Sequence, residues 1–304
     1  MTAGPAAVAA AVADAHRREW AFVLAATVRV TRDIDLAEEC VQDAYTRALD
    51  TWGTTGIPAR AGAWLTTVAR RRALDRLRRD GTARRALPLL VTDRTGLETG
   101  PAPGLDAADG IPDDRLRLVF TCCHPALGSD AQVALALRLL CGLSTAEVAS
   151  GFLVSEATMA ARITRAKKKI AAARIPYRVP PRAELPARVD AVLTVVHLLF
   201  TTGHAAPAGE TLIRADLADR SRDLARMLAE LLPGTAEVTG LLALILLTDA
   251  RRAARLDGAG RLVLLDGQDR SRWDRAAMVA SLTRNPLATS AVDSPHSSRR
   301  ASAT

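Results

Sequence analysis

Residues 142–170, GLSTAEVASGFLVSEATMAARITRAKKKI, decide how this chain is interpreted. The stretch predicts two short helices that are joined by a tight turn at Gly151. Ser144 precedes Glu147 by three residues, which is the spacing of a capping box, in which both side chains satisfy backbone N–H groups at the helix start. Ser155 stands where it can cap the second helix. The pattern is that of a helix-turn-helix.

The second helix of this stretch has one apolar face and one polar face. Met159, Ile163, Ala166 and Ile170 recur at spacings of four, three and four residues, which predicts the buried side of the helix. The opposite side carries small polar groups near the helix start and cations further on. A helix that lies in a DNA major groove has this arrangement, because its side chains reach base edges and phosphates.

The charge of the chain also favours a polyanionic partner. There are 41 Lys and Arg residues against 33 Asp and Glu residues, a formal net charge of +8. All the lysines of the chain lie at 167–169, directly after the predicted recognition helix, and a compact ammonium cluster there suits phosphate contact. Charge alone leaves both nucleic acid and anionic membranes open as partners.

Composition favours a helical, intracellular protein. The 304 residues suffice for two or three domains, and 49% hydrophobic residues with only 3% aromatic residues favour an all-α fold. The longest apolar runs, Ala191–Phe200 and Gly240–Thr248, are about half the length that a membrane span needs. The start of the chain lacks the basic segment of a signal peptide. Four cysteines without a C-x-x-C pair indicate a reduced, cytoplasmic location. The short apolar runs predict that the chain does not insert into a membrane.

A helix predicted over Asp35–Asp50 has an acidic outer side. Asp35 and Glu38 have the spacing of a capping box. The side chains that we place on the outer side are Glu38, Glu39, Gln42, Asp43 and Arg47. Acidic groups on a basic protein do not bind DNA, so this side is either an ordinary solvated surface or a docking surface for a protein with a basic helix.

The next predicted helix, Ala61–Arg79, is rich in arginine. Its second half contains Arg70, Arg71, Arg72, Arg76, Arg78 and Arg79. Phosphates would relieve the mutual repulsion of so many cations, which predicts a second nucleic-acid contact. Trp64, near the start of the helix, is either a core residue or a platform on which a base stacks.

Five segments together carry a family resemblance. DLAEECVQDAYTRAL (35–49) and AWLTTVARRRALDRLRR (63–79) resemble region 2 of bacterial sigma factors of the extracytoplasmic-function (ECF) type, and residues 142–170 resemble their region 4. FTCCHPAL (120–127) resembles a signature of the subgroup that carries a C-terminal extension related to TPR repeats. VLTVVHLLFTTGHAA (192–206) is similar to that extension.

The resemblance implies two partners, core RNA polymerase and promoter DNA. The helix of region 2 would dock on the coiled coil of the polymerase β′ subunit, and the β flap is a further contact. The polymerase-binding residues implied are Asp35, Glu38, Glu39, Gln42 and Asp43. Those implied for the melted −10 element are Trp64, Arg70, Arg71, Arg72, Arg76, Arg78 and Arg79. Those implied for the −35 element are Ser155, Glu156, Ala157, Thr158, Ala161, Arg162, Arg165 and Lys168.

The expected domain organisation follows from these assignments and from the Gly- and Pro-rich segments. We expect a disordered N-terminus (1–15), region 2 (16–80), a linker (81–112), region 4 (113–174), a Pro-rich connector (175–186), a helical extension (187–282) and a disordered tail (283–304). The helices predicted in the extension are Arg188–Thr202, Leu212–Leu232, Ala236–Leu256 and Gln268–Leu282. We also expect an intramolecular contact between residues 185–282 and the sigma regions.

No catalytic residue, cofactor or metal is expected. Cys122, Cys123 and His124 are adjacent, but a zinc site needs four ligands, so buried cysteines at a helix end are the better interpretation. Nucleotide-binding and hydrolase motifs are missing from the sequence. Two other classes remain: a helix-turn-helix regulator with a helical ligand- or protein-binding domain, and a helical scaffold or enzyme with incidental basic patches.

Overall fold

A computed structural model describes residues 4–79, 114–204 and 213–284. Within these residues the secondary structure is helical apart from turns and one isolated antiparallel bridge between Leu256 and Leu262, so the predicted all-α class is confirmed. The chain divides into two compact units, Met1–Leu198 and Leu199–Thr304. The linker predicted at 81–112 lies outside the described residues, as does the predicted tail after residue 284.

The helices of the first unit form two modules. The first module contains α1 (Pro5–Thr31), α2 (Ile34–Thr55) and α3 (Ala61–Arg79). The second module contains α4 (Asp114–Cys122), α5 (Ser129–Cys141), α6 (Thr145–Gly151) and α7 (Glu156–Ala172). Helix α8 (Leu185–His204) runs from the first unit into the second, which continues with α9 (Ala215–Leu231), α10 (Ala236–Asp249) and α11 (Arg275–Arg284).

Helix α1 begins much earlier than the sequence predicts. Residues 5–15 are helical, with Pro5 in the first turn and with Val8, Val12 and Ala15 buried. The prediction of a disordered N-terminus over 1–15 is therefore wrong for this part. The surrounding residues are nearly all alanine, so the apolar face lacks the polar contrast by which a buried side is recognised in a sequence.

Helix α1 is the element that the two modules share, because it packs on α2 and α3 and also on α4 and α5. The indole nitrogen of Trp20 donates a hydrogen bond to the backbone carbonyl of Leu139 at 3.1 Å. At the end of α5, Gly142 adopts φ +67°, and a Cβ there would lie 3.0 Å from the side chains of His16 and Trp20. The modules therefore meet in one continuous core.

In the second unit, α9 packs on α10 and α10 packs on α11. Gly203, near the end of α8, allows the chain to approach closely, since a Cβ there would lie 2.6 Å from the backbone nitrogen of Ala218. Asp249, the last residue of α10, accepts hydrogen bonds from Arg222 at 2.7 Å and from Arg252 at 2.6 Å. These bonds fix the chain direction after α10.

Two predicted helices of the extension have different bounds in the structure. The helix predicted over Ala236–Leu256 ends at Asp249, and short 3-10 turns follow. The helix predicted over Gln268–Leu282 begins only at Arg275. Asp269, whose side chain accepts a hydrogen bond from the backbone N–H of Ser271 at 2.9 Å, stabilises a 3-10 turn there instead.

Helix α8 is longer and more apolar than the sequence predicts. Its 20 residues are apolar enough, by length and composition alone, to cross a membrane, which corrects the expectation that no segment has this length. Buried core helices have the same composition. Val192, Val196 and Leu199 are among its buried side chains.

Candidate nucleic-acid and protein interfaces

The helix-turn-helix predicted at 142–170 is present as α6, a turn and α7. The backbone N–H of Glu147 donates to the hydroxyl of Ser144 at 3.2 Å, and the backbone N–H of Ser144 donates to the carboxylate of Glu147 at 2.8 Å. The predicted capping box is therefore confirmed. The hydroxyl of Ser155 accepts from the backbone N–H of Thr158 at 3.2 Å and caps α7 as predicted.

Helix α7 presents its predicted polar side to solvent. Its buried residues are Met159, Ile163, Ala166 and Ile170, as its apolar spacing predicts. The side chains of the predicted −35 set that are exposed are Ser155, Glu156, Ala157, Thr158, Ala161, Arg165 and Lys168. The exposed set lies on one side of the helix and can approach a groove without any rearrangement of the core.

Arg162 differs from the other residues of this set because it is half-buried. Its guanidinium lies 3.4 Å from the carboxylate of Asp130 and 5.4 Å from the centre of the Phe152 ring. Both contacts hold the side chain against the second module. Arg165 is exposed, and its guanidinium donates a hydrogen bond to the backbone carbonyl of Ala161, one turn earlier on the same helix, at 3.2 Å. It is therefore the better placed cation for contact with bases.

The arginine-rich helix α3 buries one narrow stripe, which consists of Leu65, Ala69, Ala73 and Leu77. Arg71, Arg78 and Arg79 are exposed, whereas Arg70 is half-buried. Small alanines on the buried side let α3 lie close to α1 and α2, so the long arginine side chains extend outward. The predicted cationic surface on this helix is present.

Two further arginines of α3 lie next to the acidic residues of α2. Arg72 is 3.7 Å from the carboxylate of Asp43, and Arg76 is 3.8 Å from that of Glu39. These are long pairs between half-exposed side chains, so their contribution to stability is small. They place the acidic side of α2 and the cationic side of α3 next to each other.

Trp64 is half-buried and stands edge-on to Trp52, with ring centroids 5.5 Å apart. The indole of Trp52 is fully buried, and its nitrogen has no hydrogen-bond partner among the described residues. Trp64 is therefore packed on one side and only partly accessible, and stacking of a base on its ring stays a prediction.

The start of α2 differs from the prediction. Asp33 is the capping residue, because its carboxylate accepts from the backbone N–H of Leu36 at 3.0 Å. The predicted capping box of Asp35 and Glu38 is therefore wrong, and Glu38 is not on the outer side. It is 5% exposed and faces the second module. Sequence reasoning missed this orientation because Glu38 is buried by contacts with a distant module, which a local pattern does not reveal.

Lys167 and Arg138 of the second module neutralise Glu38. The ammonium of Lys167 contacts the carboxylate of Glu38 and lies 2.8 Å from that of Asp35, while Arg138 lies 3.2 Å from Glu38. Burial opposes the charge of Lys167, but the two carboxylates outweigh this effect and raise its pKa. The prediction that the three lysines form one phosphate-binding cluster is therefore wrong for Lys167 in this arrangement.

The cysteine pair after α4 is inert. Cys122 and Cys123 are both buried, and burial raises the pKa of the Cys123 thiol to about 12. Thiols in such surroundings neither bind metal readily nor react, because the thiolate form is disfavoured. Within the described ranges, no group of three or more metal-ligating side chains comes together.

Two family models cover the modules of the first unit. Residues 15–82 match sigma-70 region 2, and residues 117–170 match sigma-70 region 4. This chain belongs to the sigma-70 family. Region 2 therefore corresponds to α1–α3 and region 4 to α4–α7. Residues 188–286 match a family of unknown function, DUF6596.

Comparison with curated proteins gives relatives of this sigma-70 family member. An uncharacterised protein of Rhizobium meliloti (strain 1021) is 43% identical over 261 residues, which are 85% of this chain and 61% of the relative. The probable ECF RNA polymerase sigma factor SigI of Mycobacterium tuberculosis is 30% identical over 171 residues, which are 56% of this chain and 58% of SigI.

Together with the region matches, the likeness to SigI places this chain in the ECF group of the family, as its motifs predict. The chain thus spans about three fifths of the length of the curated relatives that it matches. No solved structure matches it.

Proposed function

We propose that this sigma-70 family member is an alternative sigma factor that directs core RNA polymerase to specific promoters. Region 4 would bind the −35 element in double-stranded form, and region 2 would bind the opened −10 element. The polymerase would carry out the chemistry, and this chain would supply positioning. We also propose that it acts in the cytoplasm, where the polymerase meets promoter DNA.

The exposed face of α7 is the observation that carries the proposal. The small side chains of Ala157, Thr158 and Ala161 lie near its start, and the cations Arg165 and Lys168 follow along the same side. Small residues let the helix backbone come near base edges, so that Arg165 can reach a base edge while Lys168 reaches a phosphate beside the groove. A solvated helix that binds no ligand is not expected to carry small residues at its start and cations further along the same side.

The cationic side of α3 supports a second, different contact with DNA. Arg71, Arg78 and Arg79 are exposed, and the half-buried ring of Trp64 lies on the same helix. Arginine with an aromatic platform suits single-stranded DNA, because phosphates bind the cations and an unpaired base stacks on the ring. We therefore assign this side of region 2 to the opened −10 element.

The acidic side of α2 supports docking to the polymerase. Glu39 is exposed and Asp43 is half-exposed, and they border the arginines of α3 at 3.7–3.8 Å. A basic helix bound to the acidic side of α2 would therefore lie next to DNA bound to the cationic side of α3. This fits a docking site for the β′ coiled coil, with region 4 free to contact the β flap.

We further propose the predicted domain division, from region 2 at 16–80 to a helical extension at 187–282, and a regulatory role for that extension. The hydrogen bond from Arg188 to the backbone carbonyl of Phe120, at 2.7 Å, supports a direct influence of the start of the extension on region 4. The match of residues 188–286 to a family of its own is consistent with a separate unit.

Transcription in vitro with core polymerase and a promoter library tests the proposal. Glu39→Gln with Asp43→Asn should abolish recruitment, because both substitutions remove negative charge from the docking side, while the ion pairs with α3 that they also remove are long and weak. Glu237→Gln, in the extension, is the control. Arg165→Ala should change which upstream sequences are used, and Lys169→Ala is its control, since Lys169 is exposed on α7 but outside the predicted set.

Each outcome of this experiment bears on the proposal. Promoter-dependent transcripts that require the chain and change with Arg165→Ala support it. Failure of the chain to bind core polymerase, together with tight binding to duplex promoter DNA alone, would instead indicate a helix-turn-helix regulator.

A further inference from the structure

We propose that the chain has a closed, autoinhibited state in which Lys167 and Tyr177 hold region 4 against region 2 and cover part of the polymerase-docking side. Two polar contacts supplement the core that the regions share around Trp20, and we call them the closed contact: the ion pairs of Lys167 with Glu38 and Asp35, and the hydrogen bonds of Tyr177 to both regions. This inference rests on the proposed function, since it assigns the covered side to polymerase.

The ion pairs form the first part of the closed contact. Lys167 is the first of the three lysines after the recognition helix, yet its side chain is only 13% exposed and lies between two carboxylates of α2. Lys168 and Lys169 are exposed on the same helix. One lysine of a cationic cluster thus faces a protein surface, while its neighbours face solvent.

Glu38 depends on region 4 for its charge partners. Its side chain is 7% exposed, and both cations that neutralise it, Lys167 and Arg138, belong to region 4. A buried carboxylate without partners is strongly unfavourable. Glu38 therefore favours either the closed state, in which these cations cover it, or an open state, in which water or a basic partner replaces them.

Tyr177 forms the second part of the closed contact. It is 8% exposed, and its hydroxyl lies 2.9 Å from the carbonyl of Ala25 in region 2 and 3.1 Å from that of Asp114 in region 4. Its own carbonyl accepts a hydrogen bond from Arg32 of region 2 at 3.3 Å. A single residue of the connector thus binds both regions at once.

The position of Tyr177 along the chain would let the extension control the closed contact. It follows α7 and precedes α8, the helix that continues into the extension. Tyr177 must leave both regions, or one of them, when they separate. A change in the segment that follows therefore acts directly on the closed contact.

The closed state excludes docking through Glu38. Its carboxylate cannot be buried against Lys167 and bind a polymerase helix at the same time. If the closed state is the major one, the apparent association constant for polymerase equals the intrinsic constant multiplied by the fraction of open molecules. A variant that weakens the closed contact should then bind more tightly, by about tenfold if open molecules are about a tenth of the total.

Two full-length variants with matched controls test the inference. Lys167→Gln removes the charge that covers Glu38, and Lys169→Gln makes the same change at an exposed position of the same helix outside the −35 set. Tyr177→Phe removes the hydroxyl that joins the regions. Tyr45→Phe removes a hydroxyl that lies 3.3 Å from the carbonyl of Ala15, a contact within region 2 alone.

Two measurements are made on each protein: the affinity for core polymerase and the radius of gyration in solution. Far-UV circular dichroism checks that each variant is folded. Lys167→Gln carries the test alone if Tyr177→Phe fails to fold. We expect Lys167→Gln and Tyr177→Phe to be larger in solution and to bind polymerase about tenfold more tightly, with both controls unchanged.

The outcomes separate this inference from the proposed function. If the wild-type chain binds polymerase and the two variants bind it no more tightly, the closed contact has no inhibitory role and the proposed function stands. If the variants are larger but neither they nor the wild-type chain bind polymerase, the proposed function is overturned, and the inhibitory role falls with it.

Discussion

Trp20 and Leu139, which are 119 positions apart in the sequence, are joined by a hydrogen bond from the indole nitrogen to the backbone carbonyl at 3.1 Å. Trp20 is 2% exposed and also stacks on Tyr45, with ring centroids 6.1 Å apart. The bond connects region 2 to the end of α5 in region 4. The two regions therefore share polar as well as apolar contacts.

Trp20→Phe tests this connection. The change leaves most of the ring packing but deprives a buried carbonyl of its donor, so the free energy of unfolding should fall by about 1–3 kcal/mol more than in Trp52→Phe. Trp52 is a matched control because it is also fully buried and its indole nitrogen has no hydrogen-bond partner within the described residues. Urea unfolding followed by circular dichroism measures both. Equal losses would contradict the prediction.

Ser144→Ala tests the capping box that starts α6. Loss of the hydroxyl leaves the backbone N–H of Glu147 without its partner, which should lower the free energy of unfolding by about 1 kcal/mol. Ser150→Ala, at an exposed position of the same helix, should have little effect or stabilise slightly, since alanine is the better helix former. Thermal unfolding of the two variants gives the comparison, and a smaller loss for Ser144→Ala than for Ser150→Ala would refute it.

Arg71→Gln and Arg78→Gln test the assignment of α3 to single-stranded DNA. Each exposed arginine that contacts a phosphate contributes about 0.7 to the slope of log affinity against log salt concentration for single strands. Each substitution should therefore reduce that slope by about 0.7 for opened promoter DNA in complex with core polymerase. Arg60→Gln removes an exposed charge just before α3 and should leave the slope unchanged. Equal slopes in all three variants would rule out the assignment.

His204 predicts acid sensitivity of the second unit. Burial and the nearby charges of Arg255 and Arg251 lower its pKa from 6.5 to about 4. Because the unfolded chain binds this proton more readily, stability is fully present above about pH 6.5 and is lost as the pH falls towards 4. His204→Gln cannot titrate, so its urea midpoint should change less between pH 7 and pH 4.5. Parallel losses in both proteins would exclude this histidine as the cause.

Local patterns in the sequence predict region 4 well. The stripe of Met159, Ile163, Ala166 and Ile170 is buried as its spacing requires, and both serine caps are formed. Each of these features depends on residues within one or two helical turns. The information needed is therefore contained in a short segment, and tertiary contacts only confirm it.

Contacts between distant segments were not predictable in this way. The pairing of Lys167 with Glu38 depends on how two modules meet, and either residue alone has the appearance of an ordinary solvated charge. Tyr177 lies in a Pro-rich connector, where sequence reasoning expects no core residue. Its burial follows from a pocket built by α1 and α4, which no local periodicity reveals.

Gly142 has a consequence for protein engineering. Any larger residue there would encounter two penalties, because φ +67° disfavours side chains and because His16 and Trp20 occupy the space 3.0 Å away. Gly142→Ala is therefore a wedge: it would push the α1 rings away from the end of α5 without altering a single charge. Such a wedge would loosen the junction of the two regions by a few tenths of an ångström, independently of the lysine and tyrosine substitutions.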